Sequence, residues 1–170
     1  LFLDAIPYIT IFIFGITIGS FLNVCIYRLP LGESVVTAPS HCMTCGRKLR
    51  WYDMVPVFSW LVLGGKCRNC KSEISVQYPI IEGVNGILYV VIFAVNGLVW
   101  SSVIYCLMAS ALLVLSVIDW RTYEIPFGIN VFLFVLGIAM AVLDRGNLVE
   151  HLIGMVCVSG VLEILYLVSG

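Results

Sequence analysis

The stretch that opens on Cys42-Met43-Thr44-Cys45 and closes on Cys67-Arg68-Asn69-Cys70 holds two Cys-x-x-Cys pairs, and long apolar runs lie on both sides of it. Two such pairs have the ligand number and spacing of a tetrahedral four-cysteine zinc site, each short knuckle presenting two thiolates to one ion. Four thiolates leave no coordination position open, so the metal is expected to be structural. Iron also suits soft thiolate ligands, but paired knuckles of this spacing favour zinc. Arg47, Lys48, Arg68 and Lys71 lie next to the cysteines and are expected to favour their deprotonation. His41 beside Cys42 is redundant as a ligand, and the alternating strand and helix pattern of a thioredoxin-like redox site is missing.

Outward from this array, the composition is that of a membrane protein. Of the 170 residues 61% are hydrophobic and 11% charged, against about 45–50% and about 25% in soluble domains. Mean hydropathy is +1.08. The apolar residues gather in runs near bilayer-spanning length, which places the lipid bilayer among the chain's partners. The net charge of -1 is uninformative, but seven of the nine Lys and Arg fall between the first two runs, from Arg28 to Lys71. Arg121 follows the third run. By the positive-inside rule both segments are cytoplasmic. A reducing cytosol argues against a disulfide framework for the seven cysteines. Cys25, Cys106 and Cys157 sit in apolar runs and read as small buried hydrophobes. The first run has no small-residue cleavage site after it and reads as a retained span.

The expected fold is therefore an all-α polytopic membrane protein of about five transmembrane helices, with a small cytoplasmic four-cysteine zinc domain inserted after the first. Its parts are a first transmembrane helix (1–29), a zinc-binding insertion (30–78) and a membrane core (79–170). Spans are expected over about 5–26, 79–99, 102–118, 127–143 and 148–168, with a polar break from Asp119 to Pro126 and the N-terminus outside. Gly15, Gly19 and Ser20 suit close helix packing, and Pro30 turns the chain away from helix. No internal repeat is legible, and nothing points to nucleic acid or fixes an oligomeric state.

Few polar residues interrupt the apolar runs. An aspartate at the cytoplasmic end of a transmembrane helix, here Asp119, is costly in hydrocarbon and often marks function; its plainer reading is an interfacial carboxylate paired with Arg121. Glu82 lies about one turn into the second span. Glu163 is mid-span and reads as a protonated or hydrogen-bonded packing residue. Ser20, Asn23 and Arg28 line the end of the first span, as site residues or as packing and snorkelling ones. His151 reads as interfacial.

Taken together, Gly19-Ser20-Phe21-Leu22-Asn23-Val24, Tyr27-Arg28-Leu29-Pro30, the cysteine array, Trp51-Tyr52-Asp53-Met54-Val55-Pro56, Ser59-Trp60-Leu61, Tyr78-Pro79 with Glu82, and Asp119 with Ile125-Pro126 resemble the bacterial type 4 prepilin peptidase and N-methyltransferase family. The resemblance covers Gly19 to Pro126. It implies an intramembrane aspartyl peptidase of the bacterial cytoplasmic membrane that removes the basic leader of prepilins or pseudopilins. It also implies methylation of the new α-amino group from S-adenosylmethionine. Asp119 would be one catalytic carboxylate; Gly19, Ser20, Asn23, Arg28 and Glu82 are candidates for the methyl-donor site, and Cys42, Cys45, Cys67 and Cys70 for zinc. Two carboxylates sharing a proton can serve as general base and general acid.

Two features depart from the family pattern. Its second aspartate lies in a Gly-x-Gly-Asp motif after the fifth span, which is expected beyond Gly170; neither Asp144 nor Glu163 matches it. Phe127 stands where relatives often carry a polar residue. The rival expectations are a non-hydrolytic membrane scaffold and a remnant that only transfers methyl groups.

Overall fold

A computed structural model of the chain describes residues 2–36, 39–150 and 153. Among the described residues five α-helices follow one another: α1 (Phe2–Arg28), α2 (Phe58–Val62), α3 (Gln77–Asn96), α4 (Trp100–Thr122) and α5 (Phe127–Leu143), with single 3-10 turns at Trp51–Asp53 and Arg145–Asn147. No strand occurs among the described residues; two isolated bridges, His41 to Lys48 and Lys66 to Glu73, lie in the segment between α1 and α3. Ala5–Arg28, Gln77–Asn96 and Trp100–Thr122 are long and apolar enough to cross a membrane, and α5 is apolar but shorter. The expected fifth span, with His151, Cys157 and Glu163, lies outside the described residues apart from its first few positions.

Helix ends follow local chemistry. Beyond Arg28 the chain turns through Pro30 and Gly32, the latter at φ 66°. Gly97 takes φ 82° after α3, a left-handed value that costs glycine little. α4 runs further than expected: the anticipated break at Asp119 is still helical, and the chain leaves the helix at Tyr123, whose N–H bonds the Asp119 carbonyl before Pro126 stops any continuation.

The bundle is held by backbone proximity more than by bulk. α1 and α3 run antiparallel, and a Cβ added to Gly15 would lie 2.7 Å from the Gly86 Cα, one added to Gly19 2.7 Å from the Glu82 Cα. Asn23 continues the series by donating to the Tyr78 carbonyl at 3.2 Å. Contacts thus recur every fourth residue on both helices, the small-residue crossing that membrane helices use where lipid gives no hydrophobic drive. Polar side chains add a buried relay. Asn85 donates to the Gly15 carbonyl at 2.7 Å, and the Ser110 hydroxyl donates to Asn85 Oδ1 at 2.8 Å while sharing a 3.0 Å bond with the Tyr89 hydroxyl. This relay joins α1, α3 and α4. Nearer Arg28, Leu22, Ile26, Ile81, Ala111, Val114, Ile118 and Ile129 form an apolar cluster drawn from α1, α3, α4 and α5. Ile80, Ile87 and Val91 on α3, and Ile9 and Ile13 on α1, stay exposed, an outer surface suited to acyl chains.

Candidate functional site

The segment between α1 and α3 contains two knuckles built on one plan, offset by a constant number of residues. In the first, Cys42 N–H bonds the Arg47 carbonyl at 2.9 Å and Gly46 N–H bonds the Cys42 carbonyl at 2.8 Å; in the second, Cys67 pairs with Ser72 at 2.8 Å and Lys71 with Cys67 at 3.0 Å. The residue after each second cysteine has positive φ, 69° at Gly46 and 60° at Lys71. This is a structural duplication that the sequence hides, because Gly46 and Lys71 are unlike residues in one left-handed position.

The knuckles bring all four Sγ atoms within 4.8 Å of one another, with Cys42 and Cys70 3.8 Å apart. Tetrahedral zinc with bonds of about 2.3 Å sets its sulfurs about 3.8 Å apart. The four cysteines fit the ion. Around them, Ser72 Oγ lies 3.1 Å from Cys70 Sγ, and Asn69 Nδ2 reaches Cys45 Sγ at 3.8 Å. Backbone N–H groups of Cys45 and Thr44 push the Cys42 thiol down to about 6, and the hydroxyl and N–H of Ser72 lower that of Cys70. Arg47 and Arg68, expected to do this, are engaged elsewhere: Arg47 donates to Asn69 Oδ1 at 2.8 Å and Arg68 Nε to Asp53 Oδ1 at 2.8 Å. His41 lies by the Pro39 carbonyl, 3.2 Å away.

Between the knuckles and the end of the bundle is a cavity of about 660 Å³, lined among others by Ser20, Asn23, Arg28, Tyr78 and Glu82. Its volume is that of a small-molecule site. Gly19 is what lets α1 and α3 close beneath it. Asn23 is 1% exposed, and its Oδ1 has no hydrogen-bond partner; a buried, unmatched acceptor is costly and commonly awaits water or a ligand. Arg28 Nη1 donates to the Ser34 carbonyl at 3.1 Å, so this guanidinium organises the chain beyond α1. The Glu82 carboxylate, with Ser20 beside it, accepts from Val57 N–H at 2.7 Å. Val57 has φ 60° and ψ -51°, and Phe58 N–H bonds the Pro56 carbonyl at 2.6 Å across it. A β-branched residue in such a tight turn is strained by roughly 1–3 kcal/mol, which the surroundings must offset.

Asp119 does not enter this cavity. It is exposed on the last turn of α4 and makes no ion pair among the described residues. Arg121, its expected partner, instead stacks over the Tyr27 ring with Cζ 4.6 Å from the centroid, and Tyr27 stacks on Tyr78 at 5.7 Å. The Asp119 end of α4 therefore lies beside the cavity, at the same end of the bundle. Sequence reasoning quoted Tyr27 and Tyr78 within motifs but gave them no role at the site, and it missed Val57, which nothing in the sequence marks as strained. Asn69 and Ser72 could have been found as polar neighbours of metal cysteines.

Residues 13–96 match the family profile described as "Bacterial Peptidase A24 N-terminal domain", and residues 106–170 that described as "Type IV leader peptidase family". A prepilin leader peptidase/N-methyltransferase of Myxococcus xanthus is 38% identical over 131 residues, 77% of this chain and 39% of that protein. One of Xanthomonas campestris is 33% identical over 147 residues, 73% of this chain and 51% of the relative. One of Vibrio cholerae is 42% identical over 86 residues, 44% of this chain and 34% of the relative. The chain spans about half or less of the length of these relatives. No solved structure matches.

Proposed function

The chain belongs to the prepilin leader peptidase family, and from that premise we propose that it removes the leader of prepilins or pseudopilins and methylates the new N-terminus. The observation that carries this reading is the convergence of Ser20, Asn23, Arg28 and Glu82 on one cavity, with Asp119 exposed at the same end of the bundle. The protein is a multi-pass protein of the bacterial inner membrane, with α5 as a further span and the cysteine-bearing insertion in the cytoplasm.

In this reading Asp119 is one of two carboxylates that share a proton. One takes a proton from the attacking water and the other gives one to the substrate. Its exposed place at the helix end suits a leader that stays outside the bilayer while the apolar helix of the substrate stays in lipid. S-adenosylmethionine, when bound, supplies the methyl group. The cavity supports that role: Glu82 attracts the cationic amine, which must give up its proton to become the neutral nucleophile that attacks the methyl as the S–C bond breaks, and the unmatched Asn23 Oδ1 offers an acceptor to an amine or hydroxyl of the donor. Positioning is most of what such a transfer requires. The cysteine site holds zinc as a structural ion.

The test is a graft of residues 1–170 over the matching segment of the Xanthomonas campestris relative, expressed with a prepilin in a host lacking its own peptidase. Mass spectrometry of the pilin N-terminus reads both reactions. Asp119→Asn is expected to abolish leader removal, and Glu82→Gln to leave cleaved but unmethylated pilin. Undiminished cleavage by Asp119→Asn overturns the assignment.

A further inference from the structure

The segment between α1 and α3 is not uniformly polar. From Met54 to Gly65 it has no charged residue, although basic residues stand on both sides, Arg47, Lys48 and Arg50 before it and Lys66, Arg68 and Lys71 after it. Within this stretch α2 is built inside out. Ser59 and Trp60 turn inward, Ser59 Oγ donating to the Tyr52 carbonyl at 2.7 Å and Trp60 Nε1 to the Ile74 carbonyl at 3.0 Å. Phe58, Leu61 and Val62, spaced i, i+3 and i+4 on one face, are 64%, 60% and 79% exposed. In water such a face is unfavourable by roughly 25 cal/mol for each Å² left uncovered.

The depth of the segment identifies what covers the face. Val57 is bonded to Glu82, five residues inside α3. At 1.5 Å per residue, and with a helical side chain leaning toward its N-terminus, this sets Val57 beside the first turns of α3, at most about 7.5 Å below its start. α3, at 20 residues, is about 30 Å long, the thickness of the hydrocarbon layer. The chain thus leaves α1, folds its knuckles and returns beside the first turns of α3, at the level where interfacial amphipathic elements lie, within about 5–10 Å of the headgroup boundary. The exposed Lys48, Lys66 and Lys71 complement the anionic headgroups above, and Trp51, 77% exposed, belongs to the residue type enriched at that level.

We propose that residues 54–63 are a membrane-interface segment, with the Phe58, Leu61 and Val62 side chains in contact with lipid acyl chains. The proposal rests on α1 and α3 spanning the bilayer and is independent of the chemistry of cleavage and methylation. The insertion is then fixed to the membrane at three places, the ends of α1 and α3 and this segment, rather than hanging from two helices.

The experiment places the photo-cross-linker p-benzoylphenylalanine singly at Leu61, Val62, Ile87 or Met43 in the full chain. The protein is reconstituted in vesicles of phosphatidylethanolamine and phosphatidylglycerol, and lipid adducts are measured by mass spectrometry. Ile87 is exposed on α3, and Met43 is exposed on the first knuckle. Zinc content shows that each variant has folded, and two probe positions guard against the failure of one. Adducts at 61 and 62 approaching those at 87, and several-fold above those at 43, are expected. Adducts at 87 with none at 61 and 62, or cross-links there to protein or to a second copy of the chain, overturn the proposal. Absence at 87 as well refutes the membrane reading of α3 on which it rests.

Discussion

Gly19→Ala puts one methyl group where the structure has least room for it. The new Cβ would lie 2.7 Å from the Glu82 Cα and 3.2 Å from the Glu82 carbonyl oxygen, and backbone atoms have no rotamer to change. Carbon atoms rest about 3.5–4.0 Å apart, so α1 and α3 must separate by about 1 Å. That movement lengthens the Asn23–Tyr78 bond from 3.2 Å beyond useful range and stretches the 2.7 Å bond from Asn85 to Gly15. Interhelical hydrogen bonds in membranes are worth about 0.6 kcal/mol each, at most about 1.7. With lost packing along the crossing, the expected destabilisation is about 2 kcal/mol. Gly83→Ala, on α3 with nothing within 4 Å of its added Cβ, is the control. It changes only helix propensity and should be neutral or stabilising by up to about 1 kcal/mol. Reversible unfolding in mixed micelles, followed by circular dichroism, measures both. If the two variants differ by less than about 0.5 kcal/mol, within the range of ordinary surface substitutions, the close crossing is not what holds α1 to α3.

Three further outcomes follow from other contacts. Lys71→Gly removes a side chain from a position at φ 60° and should stabilise the second knuckle by about 1 kcal/mol; slower zinc release to a chelator would show it, and faster release would contradict the left-handed assignment. Cys67→Ser is expected to abolish stoichiometric zinc binding and open residues 39–76 to protease while the helical circular dichroism persists; unchanged zinc content would sink the four-cysteine site. Asn85→Leu leaves the Gly15 carbonyl and Ser110 without their partner and should cost about 1–2 kcal/mol in the micelle assay, whereas a neutral result would mean that the relay is dispensable.

The helical class, the four-cysteine cluster and the polar residues lining the cavity were legible because each is local chemistry: an apolar run, a ligand spacing, a motif. Phe127–Leu143 forms the helix its apolar run calls for. The course of α4 was less legible, since Asp119, Trp120 and Arg121 read as a polar break yet keep helical hydrogen bonds until Tyr123. The duplicated knuckle escaped notice because its repeat is one of backbone conformation, with Gly46 and Lys71 in equivalent places. The apolar stretch Met54–Gly65 was absorbed into a polar insertion, being too short to register as a span. The strained turn at Val57 depends on a carboxylate distant in sequence, as does the Arg121–Tyr27–Tyr78 stack on three helices meeting; neither leaves a trace in local pattern.

The paired knuckles also fasten an arch. Metal bound across Cys45 and Cys67 closes a loop of about twenty residues, a constraint worth about 3 kcal/mol of unfolded-chain entropy if it acts as a cross-link does. Val57 stands near the crown of that arch, and its N–H is what the Glu82 carboxylate grips. An ion with no open coordination position would therefore stiffen the span that holds a carboxylate of the cavity floor. Withdrawing it would slacken the span, release Glu82 from Val57 and loosen the roof over Asn23, with no atom of the helical bundle exchanged.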